Sequence, residues 1–221
     1  MDGRDILDRL SRTCYLARLT VRLGSGGGRW DRAYLRCLAE QGRRRLAAHT
    51  LLTPIGRLLP TGALPAWRAE EGSLGDAFLR AAREAGMSAH WQVAILPVSP
   101  WPQGLDPATP EGQALERTAQ ATWLALRSAY RAHIHRLATL ALASLERNCG
   151  FLPGRNAKAL SSLRDWAERM DVTDDRLVRR AVEGVLVLLS ARGASPNGEL
   201  WDALQALADI TFQYPLADRG G

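Results

Sequence analysis

The sequence predicts an all-α fold: a multi-helix bundle of about six or seven helices with a proline-rich irregular insert. Three observations predict it. Apolar residues recur at three- and four-residue steps through most of the chain, the spacing of one helix face. Eight of the eleven prolines fall within residues 50–110, where a residue without an N–H disrupts helix interiors. Of the 221 residues 46% are hydrophobic, enough to bury a sizeable core. On this reading residues 1–221 form a single helical domain, residues 24–28 a flexible Gly/Ser joint and residues 50–110 a loop-rich insert.

Residues 4–22 read as an amphipathic helix, with Leu7, Leu10, Cys14, Ala17 and Val21 in one stripe. The run Gly24-Ser25-Gly26-Gly27-Gly28 ends it, because glycine loses too much backbone freedom in a helix. A second helix spans about residues 30–49, with Leu35, Leu38, Gly42 and Leu46 as its inner row. Inside the insert one helix fits, over about residues 73–85, with Ser73 as its N-cap and Gly86 as its C-cap. Residues 91–98 fit either a short strand or a buried helical turn. The longest helix opens at Pro110 behind a Thr109 cap and closes at Asn148-Cys149-Gly150. Trp123, Leu126, Tyr130, Ile134, Leu137 and Ala141 form its core stripe. Three shorter helices follow at about 157–170, 174–191 and 198–212, separated by Asp171-Val172-Thr173 and by Gly193-Ala194-Ser195-Pro196.

Charge gives the second layer of the reading. The net charge is +6, and all but Lys158 of the 29 basic residues are arginine. Guanidinium groups stay charged and grip phosphates or carboxylates through paired hydrogen bonds. Residues 1–68 hold 13 arginines against five acids, while the remainder is slightly acidic. Such asymmetry points to an anionic partner. No apolar run approaches the length of a membrane span, and the first residues lack the apolar stretch of a secretory signal. Three cysteines without CxxC spacing suit a reducing cytosol, so a cytoplasmic protein is expected.

Most catalytic chemistries lack their residues here. The glycine run has no following Lys or Ser/Thr, so it does not make a phosphate-binding loop. His133 and His135 lie two residues apart on a helix, too far around it to share a metal, and neither a metal nor another cofactor is expected. His133 reads as a core-edge residue. No nucleophile elbow occurs, and Cys14 reads as an inert buried thiol. Asp174 and Asp175 fit a helix start, where acids meet the positive end of the dipole. Trp67, Trp91 and Trp101 read mainly as anchors of the insert, with base stacking or partner docking as the other use.

The arginine faces carry the functional expectation. On the second helix Arg29, Arg32, Arg36 and Arg43 share an arc of about 60°, and Arg44 and Arg45 widen it. On the long helix Arg117, Arg127, Arg131 and His135 share an arc of about 80°. These side chains are the candidate contacts to a nucleic-acid backbone, DNA or RNA, without base-specific reading. The expected function is that of a non-catalytic subunit in a nucleoprotein assembly, with protein partners. An adaptor that meets an acidic protein surface is the first alternative, and an enzyme with a dispersed site the second.

Overall fold

The computed structural model describes residues 1–150, 152, 154–190 and 198–212. The chain divides into two compact units, Met1–Trp123 and Leu124–Gly221. The all-α expectation is wrong for the first of them, which contains a four-stranded antiparallel sheet.

The first unit opens with α1 (Gly3–Thr13), and the chain then extends into β1 (Cys14–Leu23) where a continued helix was expected. The residues explain the change. From Ala17 to Leu23 apolar and polar residues alternate strictly, with Leu19, Val21 and Leu23 on one side and Arg18, Thr20 and Arg22 on the other. Helical spacing also passes through Cys14, Ala17 and Val21, so both periods coexist in one segment. The strand period wins because β4 (Ala89–Pro97) pairs with β1 along its whole length, from Tyr15↔Pro97 to Leu23↔Ala89.

The glycine run joins β1 to α2 (Arg29–His49). Gly26 and Gly27 take φ values of 111° and 65°, open to glycine at little cost. The Gly24 N–H donates to the Ser88 carbonyl at 2.8 Å, and a Cβ on Gly24 would stand 1.9 Å from the Ser88 hydroxyl. The glycines therefore permit a close crossing of two chain segments.

The expected loop-rich insert is a second correction. Residues 50–110 hold β2 (Leu51–Thr53), β3 (Gly56–Pro60), a 3-10 turn at Thr61–Ala63, α3 (Leu64–Glu84) and β4. The prolines punctuate these elements. Pro54 lies in the β2–β3 turn, Pro60 ends β3, Pro65 sits in the first turn of α3 and Pro97 ends β4. Ser73, expected as an N-cap, lies inside α3, and of the two readings of residues 91–98 the strand is correct.

The order of strands is β2-β3-β1-β4, all neighbours antiparallel. With the order β1-α2-β2-β3-α3-β4 along the chain, this is the split βαβ connectivity. Both helices pack on the face that carries Val21, Leu23, Ala89 and Trp91. Leu35, Leu38 and Ala39 of α2 meet Phe78 and Ala82 of α3 above it. Both helices press on Trp91: a Cβ on Gly42 would stand 2.3 Å from its ring, and one on Gly75 3.0 Å. Its indole N–H donates to Glu71 at 3.1 Å.

The helix α4 (Pro110–Arg147) starts in the first unit, where the Thr109 hydroxyl accepts the Gly112 N–H as the cap reading expects. Glu116 accepts the Gly3 N–H with both carboxylate oxygens at 2.7 Å, which ties the start of α1 to α4. Its second part belongs to the other unit and ends at Cys149 and Gly150, both at positive φ, with the Gly150 N–H returning to the Leu145 carbonyl.

The second unit is helical: the end of α4, then α5 (Gly154–Ser161), α6 (Leu163–Met170), α7 (Arg176–Ser190) and α8 (Gly198–Phe212). The helix expected over 157–170 is thus two, with its start earlier. The expected turn at 193–196 lies outside the described residues. Leu126, Ile134 and Ala138 of α4, Val178, Val182 and Val185 of α7, and Leu200, Leu204 and Leu207 of α8 are buried.

His133 stacks on Trp166 with ring centroids 3.9 Å apart. Burial, and secondarily Arg136, push its pKa from 6.5 down to about 4. The folded ring stays neutral where the unfolded one takes a proton, so acid favours unfolding. Stability attributable to His133 is therefore complete above about pH 6.5 and lost as pH falls to about 4. His133→Phe keeps a ring on Trp166 and should flatten the fall of Tm between those pH values. An unchanged profile in thermal melts would refute this origin.

Candidate nucleic-acid interface

The two arginine rows meet different fates. On α2, the buried residues Leu35, Leu38, Ala39, Gly42 and Leu46 turn the opposite side outward, and Arg29, Arg32, Arg36, Arg43, Arg44 and Arg45 are all exposed. Arg29 and Arg36 form no ion pair with a described residue. Arg32 is exposed and donates from Nε to the Gly26 carbonyl at 3.0 Å. Arg43 and Arg44 share Glu40, at 3.6 and 3.3 Å. Arg45 lies 3.8 Å from Glu70, which also faces His49 at 3.4 Å. Exposed pairs of this kind hold each arginine weakly and yield it to a stronger anion.

The row on α4 does not act as one surface. Arg117 belongs to the first unit and is exposed, its Nε donating to the Gln113 carbonyl. Arg127, in the second unit, is half-buried. Arg131 is 5% exposed and points inward. Its Nε meets the Asp175 carboxylate at 2.6 Å, and Nη1 donates to the Ile210 carbonyl. His135 is half-buried, its Nδ1 donating to the Ala208 carbonyl at 3.0 Å. Arg131 thus satisfies a carbonyl of the last turn of α8, which a helix leaves without an intrahelical donor, and His135 adds a bond to the Ala208 carbonyl, which also accepts from the Thr211 hydroxyl.

The acids expected to mark a helix start do so. Asp171 accepts the Asp175 N–H and also Arg179 at 2.8 Å, and Asp175 accepts the Val178 N–H. Asp174 takes a φ of 54° in this tight joint. Burial, with Asp171 and Asp175 nearby, raises the pKa of Tyr130 on the adjoining turn of α4. The Asp171 and Asp175 carboxylates of this cluster are buried, while Asp174 and Arg179 stay partly exposed.

Three arginines outside the expected set join the α2 row. Arg18 and Arg22 project from β1 on the sheet face opposite the helices, both exposed, beside Thr20 and the β4 residues His90 and Gln92. Arg57 of β3 shares a groove with Arg18 and Arg43. The two ends of the α2 row lie near β1: Arg32 touches Gly26 just past the strand end, and Arg43 lines the same groove as Arg18. From Arg32 to Arg43 it extends about 16 Å along the helix. The signal for Arg18 and Arg22 is the strict alternation of residues 17–23; nothing local marks Arg57.

Cys14 is buried, and that burial raises its pKa to about 11, so the thiol is unreactive at neutral pH. Among the described residues no three His, Cys, Asp or Glu side chains gather as metal ligands would. Among the same residues no helix is long and apolar enough to cross a membrane.

The first unit is a split βαβ unit with exposed arginines on α2 and β1, and the second is helical. Comparison with protein-family models, curated proteins and solved structures finds no match to this chain.

Proposed function

We propose that the protein is a non-catalytic subunit that contacts a nucleic-acid backbone within a larger nucleoprotein assembly. One observation carries the reading: Arg32 of α2 bonds Gly26 just past β1 and Arg43 shares a groove with Arg18, which stands with Arg22 on the uncovered sheet face. A row about 16 Å long parallels a length of duplex axis that carries roughly four to five phosphates per strand, at about 3.4 Å of axis per phosphate. Sheets that recognise RNA bases stack them on aromatic side chains of the central strands. Here β1 offers Leu16, Arg18, Thr20 and Arg22 at those positions, which suits phosphates and not bases. Arg117 widens the set of exposed candidates; Arg127 and Arg131 fall outside it. The unpaired cysteines Cys14, Cys37 and Cys149 fit a cytoplasmic setting.

The test is a binding titration over several salt concentrations with duplex and single-stranded oligonucleotides. Each phosphate that the protein no longer neutralises should lower the log–log salt slope by about one unit. Replacing Arg29, Arg32 and Arg36 with Gln is expected to lower it by roughly two to three, equally for unrelated sequences, with helicity by circular dichroism unchanged. Absence of binding by the wild type at low salt would refute the proposal and leave the acidic-partner adaptor as the reading of these arginines.

A further inference from the structure

We propose that the unpaired edge of β1 accepts an extended acidic polypeptide segment as an added strand. This goes beyond the nucleic-acid reading and does not depend on it; it specifies how a protein partner engages.

The strand pairings show the edge. Along one side β4 accompanies β1 to Leu23, but on the other side β3 pairs only with Cys14, Tyr15 and Leu16. Beyond Leu58 the hairpin turns away: Arg57 and Gly56 pair with Leu52 and Thr53 of β2 and with nothing on β1. Among the described residues no strand pairs with residues 17–23 on that side. This leaves about 23 Å of strand edge presenting N–H and C=O groups. Natural sheets cover or blunt such edges, because they template pairing with another chain.

A groove of about 600 Å³ lies at this divergence. Leu16, Ala17, Arg18 and Leu19 all line it. Successive side chains of a strand point to opposite faces, so four consecutive residues border one cavity only where it runs along the strand's edge. Its apolar lining includes Leu46, Ile55 and the exposed Leu52 and Leu96.

Charge selects the occupant. Arg18, Arg43 and Arg57 line the groove, and no acidic side chain does. Arg18 and Arg57 form no ion pair with a described residue. A phosphodiester backbone brings acceptors alone, which would leave the carbonyls of the edge without donors. A polypeptide strand supplies both N–H and C=O, places alternate apolar side chains in the groove, and can direct carboxylates at the guanidinium groups.

The experiment uses the full chain and three probes: a fluorescein-labelled heptapeptide of alternating Glu and Val, the same peptide with Lys for Glu, and the Glu–Val peptide N-methylated at alternate residues. The Glu–Val peptide is expected to bind and to slow amide hydrogen exchange within residues 17–23. Arg57→Glu and Arg18→Glu should each weaken it about tenfold or more, the value of a hydrogen bond to a charged group. Leu52→Glu should weaken it by repulsion. Equal binding of the Lys–Val or the N-methylated peptide would overturn the proposal, as would no binding of the Glu–Val peptide at millimolar concentration. Two other outcomes would also overturn it: protection of these amides by oligothymidylate and not by peptide, or protection that rises with protein concentration alone, the mark of a second copy on the edge. Nucleic-acid affinity of the Arg29/Arg32/Arg36 variant is read separately, so the two proposals fail independently.

Discussion

Arg131→Ala is expected to destabilise the helical unit by about 3–5 kcal/mol, because removing one partner of a buried ion pair strands the other charge. Arg131 and Asp175 have side chains 7% and 4% exposed and meet at 2.6 Å. Asp175 keeps its hydrogen bond from the Val178 N–H in the variant, but that bond does not neutralise a carboxylate. The Ile210 carbonyl also loses its guanidinium donor. Replacing both charges at once, as Arg131→Met with Asp175→Leu, should recover much of the loss, since apolar side chains of similar volume often substitute for a buried pair. Recovery should be incomplete, because Ile210 still lacks its donor. Urea denaturation followed by circular dichroism measures all three chains. A single variant as stable as wild type would show that the pair contributes nothing. A double variant no better than the single would show that the stranded charge is not the cause.

Phe78→Ala is expected to destabilise the βαβ unit by about 3–5 kcal/mol, the usual range for an aromatic truncated in a core. Phe78 is fully buried, and its ring lies 5.3 Å from that of Trp91. Gly42→Ala acts on the same tryptophan from the opposite direction. Its Cβ would stand 2.3 Å from Trp91, a ring already held between two helices, and overpacking of this kind costs about 1–3 kcal/mol. The two changes should not add. The cavity left by Phe78→Ala gives Trp91 room to move away from the new methyl group, so the double variant should lose less than the sum. Denaturation followed by tryptophan fluorescence tests this, and strict additivity would show that Trp91 does not couple the two sites.

The long helix was legible because Thr109, Pro110 and Gly150 mark its ends and its apolar stripe runs for many turns. The terminal helix at Gly198–Phe212 was legible for the same periodicity. The sheet was not. Residues 14–23 carry a helical and a strand period together, and the partner that decides between them lies far along the chain, with Arg22 opposite His90. Prolines at 54, 60, 65 and 97 look like a loop composition until strands and helices are placed between them. The candidate interface was half legible. Arg29, Arg32 and Arg36 face outward, as the α2 pattern indicates. Arg131 has the same helical spacing as a solvent-facing arginine, and only α7 and α8 make it internal.

Local sequence by itself determined where α2, α4 and α8 form, which side of α2 is buried, and that the excess positive charge lies in the first 68 residues. Those properties depend on neighbours within a few turns, and helix periodicity records them. Tertiary structure alone decided the sheet, the internal role of Arg131 and the meeting of Arg18, Arg43 and Arg57 at one groove. The reason is that a strand satisfies its backbone hydrogen bonds through a distant segment, and a charged side chain on a helix is exposed or buried according to what packs against that helix.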